Sequence, residues 1–108
     1  MAKVSELEEV LALQIRGVGL PEPKRQYRAI VGRQFAFDFA WPEERVLVEV
    51  NGGTWQHMGH STGRGIQRDY EKMNLATLCD WRVLVFTAKD VLSGQAVYMI
   101  QQLLEKLT

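Results

Sequence analysis

Apolar and polar positions alternate most clearly over residues 35–53, which read FAFDFAWPEERVLVEVNGG. Two runs rich in aromatic and β-branched residues flank Pro42-Glu43-Glu44, a pattern typical of a β-hairpin. Because side chains alternate along a strand, a turn centred on residues 43 and 44 places the large apolar residues on one face. We expect that face to be a core face; it carries Phe35, Phe37, Phe39, Trp41, Val46, Val48 and Val50.

Helical spacing of apolar residues predicts helices at residues 4–16, 65–79 and about 88–107. Gly94 is expected to kink or split the last of them. Further strands are predicted at about 26–31 and at 81–86, where the run WRVLVF is typical of a strand covered on both faces. The order α-β-β-β-α-β-α predicts an α/β fold in one domain over residues 1–108, with a mixed sheet between helices.

The composition is that of an ordinary globular domain. The chain has 108 residues, 46% of them apolar, and 13 basic residues balance 13 acidic ones, which argues against disorder.

The single cysteine, Cys79, excludes an internal disulfide and a cysteine-based zinc site. Its apolar surroundings predict a buried side chain. Without a signal peptide or a membrane-length apolar run, we expect a cytoplasmic protein with no membrane partner.

Two carboxylates face each other across the predicted hairpin. In the expected register Asp38 lies opposite Glu49, and the small neighbours Ala36 and Ala40 leave space above them. Like charges in this arrangement repel, and a Mg²⁺ ion would relieve the repulsion because it favours one or two carboxylates together with water and phosphate oxygens. The alternatives are a solvated face, or a buried acid paired with a distant arginine. A slip of one residue would separate the acids.

Glu8 and a glycine-rich segment supply further candidates. Glu8 lies one step from the apolar stripe of the first helix, within reach of the acidic edge, although acids near a helix N-terminus are often simply exposed. The segment after Asn51 carries Trp55, His57 and His60. Trp55 is either a lid over the core or a surface on which bases stack.

The basic residues are unevenly distributed along the chain. Residues 22–34 carry Lys24, Arg25, Arg28 and Arg33 against one acid, and residues 54–68 carry Arg64, Arg68 and two histidines against none. Basic stretches on both sides of an acidic centre suit a polyanion that approaches a metal site.

The combination of these pieces resembles the PD-(D/E)XK nuclease superfamily, and within it the very-short-patch-repair (Vsr) and DUF559-type endonucleases. The resemblance rests on residues 35–53, on the W-x-H of Trp55 and His57, and on RDYEKMNLATLCDWRVLVFTAKDV from residue 68. It covers nearly the whole chain, and Asp80 stands where a glycine is usual. It implies a restriction-endonuclease-like αβββαβ core with a C-terminal helix.

The resemblance also implies roles for individual residues. Asp38 and Glu49 would be metal ligands with the backbone carbonyl of Val50, and Glu8 matches the acid of the first helix that often completes the site. Asn51 stands in the place of the motif's lysine, and an asparagine neither carries a positive charge nor accepts a proton from water at neutral pH. Another residue must therefore assist the attacking water; the candidates are His57, His60 and Lys72.

The resulting prediction is a Mg²⁺-dependent DNA endonuclease, with Mn²⁺ as a substitute, that is structure-selective or weakly sequence-specific. The residues expected to contact DNA phosphates are Arg28, Arg33, Arg64, Arg68 and Lys72. Cutting both strands requires two active sites, and so a homodimer. The alternatives are an inactive DNA-binding or assembly module that keeps the nuclease fold, and a domain that binds a small ligand.

Overall fold

A computed structural model describes residues 4–51 and 63–108 as a mixed α+β fold built on one four-stranded sheet. The element order matches the prediction, with the last helix divided in two. The elements are α1 (Val4–Gly17), β1 (Lys24–Tyr27), β2 (Phe37–Trp41), β3 (Val46–Val50), α2 (Gly63–Leu78), β4 (Arg82–Phe86), α3 (Ala88–Leu92) and α4 (Gln95–Leu107).

The sheet has the strand order β1-β2-β3-β4. Its first two pairs are antiparallel and the pair β3–β4 is parallel, because α2 carries the chain back along the sheet. In the hairpin Trp41 pairs with Val46 and Ala40 with Leu47. The predicted register is therefore confirmed.

Apolar side chains are buried on both faces of the sheet. A larger cluster lies between the sheet and the helices α1, α3 and α4; it contains Leu7, Leu11, Ile15, Phe39, Trp41, Val46, Val48, Val50, Phe86, Val91, Ala96, Ile100 and Leu104. A smaller one joins the other face to α2; it contains Ile30, Phe37, Ala40, Leu47, Ala76 and Trp81. The prediction of a mixed sheet with helices on both sides is confirmed.

The prediction of one core face on the hairpin is wrong in two respects. Phe37 belongs to the smaller cluster, although Phe39 and Trp41 belong to the larger one. Alternation along the strands places Ala40 and Leu47 on the opposite face, together with Asp38 and Glu49, where we expected open space. Both are completely buried, because Ala76 of α2 and Trp81 cover them. The space expected above Ala40 is filled.

Several boundaries and exposures also differ from the prediction. The first strand begins and ends earlier than residues 26–31, and β4 leaves Val85 48% exposed because it is an edge strand. Cys79 is exposed rather than buried, since α2 ends at Leu78. Gly94, with φ of 85°, separates α3 from α4, so the predicted split is confirmed.

No helix in the described part of the chain is long and apolar enough to cross a membrane.

Candidate acidic site at one end of the sheet

The backbone pairing of strands β2 and β3 ends next to Asp38 and Glu49, the two acids predicted to face each other. The last pair of their ladder is Phe39 with Val48. Beyond it, the Asp38 N–H donates to Oε1 of Glu49 at 3.1 Å, and the Val50 N–H donates to Oδ2 of Asp38 at 2.7 Å. Each carboxylate thus accepts a backbone N–H of the opposite strand. The acids are close together as predicted, and they replace a pair of ladder hydrogen bonds.

Beside Asp38, the side chains of strand β1 switch from one face of the sheet to the other. The guanidinium group of Arg25 lies 4.6 Å from the ring centroid of Phe39, which belongs to the larger cluster. Tyr27, two residues later, packs instead against the smaller cluster. In a regular strand these two side chains would share a face. The residue between them, Gln26, has a φ of 48°, in the left-handed region.

Gln26 joins Asp38 to Glu8 of α1. Its Nε2 donates to Oδ1 of Asp38 at 3.1 Å and to Oε1 of Glu8 at 3.2 Å. Nη2 of Arg25 is 3.9 Å from Oε1 of Glu8, but only 2.7 Å from Oε2 of Glu9. Glu8 therefore reaches the acidic edge as predicted, with its side chain 14% exposed.

Lys72 enters the site from α2, on the opposite side of the sheet. Its Nζ donates to Oε2 of Glu49 and to the carbonyl oxygen of Ala36, both at 2.7 Å. The ammonium group also lies 4.5 Å from the ring centroid of Phe37. Among the described residues, Lys72 is the candidate for assisting the attacking water that the structure brings to the acids.

The charges in the site are unevenly compensated. Burial, and next the negative charge of Asp38, raise the pKa of Glu8 to about 7 against the opposing effects of Arg25 and Gln26. Burial also raises the pKa of Glu49; the hydrogen bond from Lys72 opposes this and the charge of Asp38 adds to it. The carboxyl groups thus repel one another, which is the condition that a bound cation relieves.

The available ligands fit Mg²⁺ better than a transition metal. The described residues contain no group of three or more His, Cys, Asp and Glu side chains that could hold a metal ion. Two carboxylates with a backbone carbonyl are, however, a set that Mg²⁺ accepts, since it keeps several water ligands. Asp38 and Glu49 come from adjacent strands, and Val50, at the end of β3, supplies the carbonyl.

The remaining predicted site residues are more scattered. Asn51 follows β3 directly, and its backbone N–H donates to the carbonyl of Phe86 at 2.7 Å. His57 and His60 lie outside the described residues, as do Trp55 and the side chain of Arg64. The structure therefore leaves their predicted roles untested.

A cleft of about 550 Å³ borders Lys72 between α2 and the loop before β2. Arg33 and Arg68 line it, together with Glu71, which pairs with Arg33 at 2.6 Å. The guanidinium of Arg33 also lies 4.8 Å from the ring centroid of Phe35. Arg28 is exposed but does not line the cleft. Of the predicted DNA-contacting arginines, Arg33 and Arg68 therefore share the cleft with Lys72, and Arg28 lies outside it.

Gln26 is the site residue that sequence reasoning missed. It lies opposite Asp38 because Arg25 pairs with Phe39 and Tyr27 with Phe37. The predicted strand began too late, and no local pattern signals the left-handed backbone on which these contacts depend.

Comparison with known proteins found no matching family model, curated protein or solved structure.

Proposed function

We propose that this protein is a Mg²⁺-dependent DNA endonuclease that also accepts Mn²⁺. The observation that carries the proposal is the contact of Lys72 with Glu49, beside Asp38. The resembled superfamily combines two acids with a lysine, and here Asn51 stands in that lysine's place in the sequence. Lys72 supplies an ammonium group to the same acid from a different element. This arrangement supports a catalytic site more than a solvated acidic surface.

Asp38, Glu49 and the carbonyl of Val50 would hold the metal ion. The raised pKa values of Glu8 and Glu49 support this assignment, because a cation relieves the repulsion that contributes to both. When bound, Mg²⁺ activates a water molecule and polarises the scissile phosphate.

The surrounding side chains would stabilise and orient the reacting groups. The ammonium group of Lys72 favours negative charge that develops on the phosphate. Asn51 donates or accepts a hydrogen bond and so orients water or a phosphate oxygen, but it takes no proton. Glu8, which Gln26 links to Asp38, would complete or orient the site from α1. The roles proposed for His57 and His60 are proton transfer in the same step.

Arg33 and Arg68 would contact DNA phosphates along the cleft, with Arg28 and Arg64 beyond it. The ion pair of Arg33 with Glu71 leaves both side chains about 40% exposed (39% and 42%). Such a pair stabilises the fold little, so Arg33 exchanges it for a phosphate at small cost. Because the domain offers little surface for reading bases, we propose structure-selective or weakly sequence-specific cleavage, of nicks, branches, mismatches or junctions. Cutting both strands would require a homodimer.

A catalytically inactive DNA-binding or assembly module is the second candidate. The hydrogen bonds within the site favour this second candidate. Both oxygens of Asp38 and both oxygens of Glu49 already accept a hydrogen bond from the protein itself. A metal ion must displace or share some of these bonds. The two candidates differ in one respect that can be measured directly, the hydrolysis of DNA.

The test is cleavage of supercoiled plasmid and of branched synthetic DNA with Mg²⁺ or Mn²⁺. We expect Asp38→Asn and Glu49→Gln each to slow cleavage by a factor of about 100 or more, because each removes a metal ligand. Glu105→Gln, at an exposed acid of α4, is the control and should cut like the wild type.

A preference between the two DNAs identifies the substrate class. Retention of cutting in both site variants rules out this site as the catalytic centre. DNA binding without cutting by the wild type supports the inactive module.

A further inference from the structure

Gln26 has a backbone conformation that its residue type does not favour. Its φ of 48° lies in the left-handed region although it is neither glycine nor asparagine, and it lies inside β1. Left-handed residues of this kind are strained, and they persist where surrounding structure holds them, often at functional sites. The place to look for a reason is therefore the surroundings of its side chain.

The left-handed residue brings one amide group to two acids from different elements. Nε2 of Gln26 lies 3.2 Å from Oε1 of Glu8 on α1 and 3.1 Å from Oδ1 of Asp38 on β2. The amide nitrogen carries two N–H groups, so it donates one to each carboxylate, whereas the amide oxygen would be repelled by both. Because both neighbours are carboxylates, the orientation of the amide follows from the chemistry.

We propose that Gln26 is a positioning residue that holds Glu8 against Asp38 and so orients the Asp38 carboxylate for a divalent cation. This inference rests on the proposed metal-dependent function. It differs from a purely structural role, in which the left-handed backbone would serve only to turn β1 from one face of the sheet to the other. In that case glycine, which adopts this φ without strain, would serve better than glutamine.

The two roles predict different properties for Gln26→Gly. This variant keeps the backbone turn, relieves its strain and removes the amide. We expect this variant to fold, because the relief of backbone strain offsets part of the loss of the two hydrogen bonds. Its dissociation constant for Mn²⁺ should rise about 10- to 100-fold, as for other residues that orient a metal ligand. Gln26→Asn is the second variant, since asparagine tolerates a positive φ and its shorter amide cannot bridge both acids; it should also bind Mn²⁺ more weakly.

Isothermal titration calorimetry with Mn²⁺ measures the affinity in the full chain, without DNA. NMR of the side-chain amide of Gln26 gives an independent reading. Its resonances should shift in Glu8→Gln and in Asp38→Asn, and stay in place in Glu105→Gln.

Each outcome decides the inference. Unchanged Mn²⁺ affinity in Gln26→Gly and Gln26→Asn overturns the proposed role of Gln26. The role is also overturned if the Gln26 amide resonances do not shift in Glu8→Gln and in Asp38→Asn. If either result is obtained and the wild type cleaves DNA, only the role of Gln26 is refuted. Weakened Mn²⁺ binding in these variants, with no DNA cleavage by the wild type, supports Gln26 and refutes the nuclease. A wild type that binds no Mn²⁺ refutes both.

Discussion

Asp38 accepts hydrogen bonds from two strands at once, through the Val50 N–H of β3 and the Gln26 amide of β1. Its charge then acts on both neighbouring acids, raising the pKa of Glu8 and of Glu49. This repulsion destabilises the folded chain at neutral pH. At the residue scale, the three acids lower the stability of the fold, which is the behaviour expected of a functional site.

Glu8→Gln should make the folded chain less sensitive to pH. The pKa of Glu8 is about 7 in the folded state and 4.5 in the reference state, so folded Glu8 holds its proton more tightly. The stabilisation is present below pH 4.5 and is lost as the pH rises through about 7. Glutamine, which does not ionise, avoids this loss.

Urea unfolding at several pH values measures the difference. We expect Glu8→Gln to match the wild type near pH 5 and to exceed its free energy of unfolding by about 1 to 2 kcal/mol at pH 8, a value reduced for the partial solvent access of the site. Glu9→Gln, at an acid whose side chain is 69% exposed, should show no such trend. A difference that is constant between pH 5 and pH 8 would contradict the assignment.

At this scale the sequence predicted the hairpin register correctly, but the alternation of side chains failed at Phe37, which lies on the opposite face from Phe39. The opposition of Asp38 and Glu49 follows from the hairpin turn alone, and the register is as expected. Gln26 was missed because its contacts depend on a left-handed backbone that no local pattern signals. Lys72 was one of three candidates, and the sequence alone did not show that the packing of α2 brings its ammonium group to Glu49.

At the scale of elements, the end of α2 shows how the chain accommodates an aspartate where the nucleases that it resembles usually have a glycine. Asp80 occupies a position with φ of 66° just beyond the helix. The Trp81 N–H donates to the carbonyl of Ala76, and the Asp80 N–H to that of Thr77, which is the hydrogen-bond pattern of a Schellman motif. Glycine is the residue that this position favours.

Asp80→Gly should therefore stabilise the protein by about 0.5 to 1 kcal/mol, since glycine adopts a positive φ without the steric cost that aspartate bears. Urea unfolding checks the value. The same change at exposed Asp69, inside α2, serves as the control and should destabilise by about a few tenths of a kcal/mol, because glycine is a poor helix former. Equal effects at the two positions would contradict the account of this helix end.

The order of the elements could be predicted because the spacing of apolar residues differs clearly between the helices and the strands. The limits of β1 could not, since the strand is short and its residues Lys24, Arg25 and Gln26 are all exposed. The second core cluster was also missed. A hairpin with apolar residues on one face gives no sign that Ala40 and Leu47 of the other face will be covered by α2.

At the scale of the whole molecule, the site joins the two faces of the sheet. Glu8 comes from α1 on one side and Lys72 from α2 on the other, and they meet the acids where β2 and β3 part. The mixed sheet with helices on both faces was predictable from the order of elements. The resemblance to the nuclease superfamily stays a prediction, and DNA cleavage is the function proposed from it.

The central claim is that Lys72 acts with Asp38 and Glu49 as one catalytic unit, and Lys72→Met tests it most directly. Methionine keeps most of the apolar volume of lysine and removes the charge. Leaving Glu49 without its partner should lower stability by about 2 kcal/mol, so folding is checked by circular dichroism. Lys89→Met, at an exposed lysine of α3, is the matched control.

The measurement is the initial rate at which supercoiled plasmid is nicked at saturating Mg²⁺. We predict that Lys72→Met nicks about 100-fold more slowly than the wild type or more, because the charge that stabilises the reacting phosphate is gone, while Lys89→Met nicks at the wild-type rate. A folded Lys72→Met variant that nicks as fast as the wild type would contradict the claim.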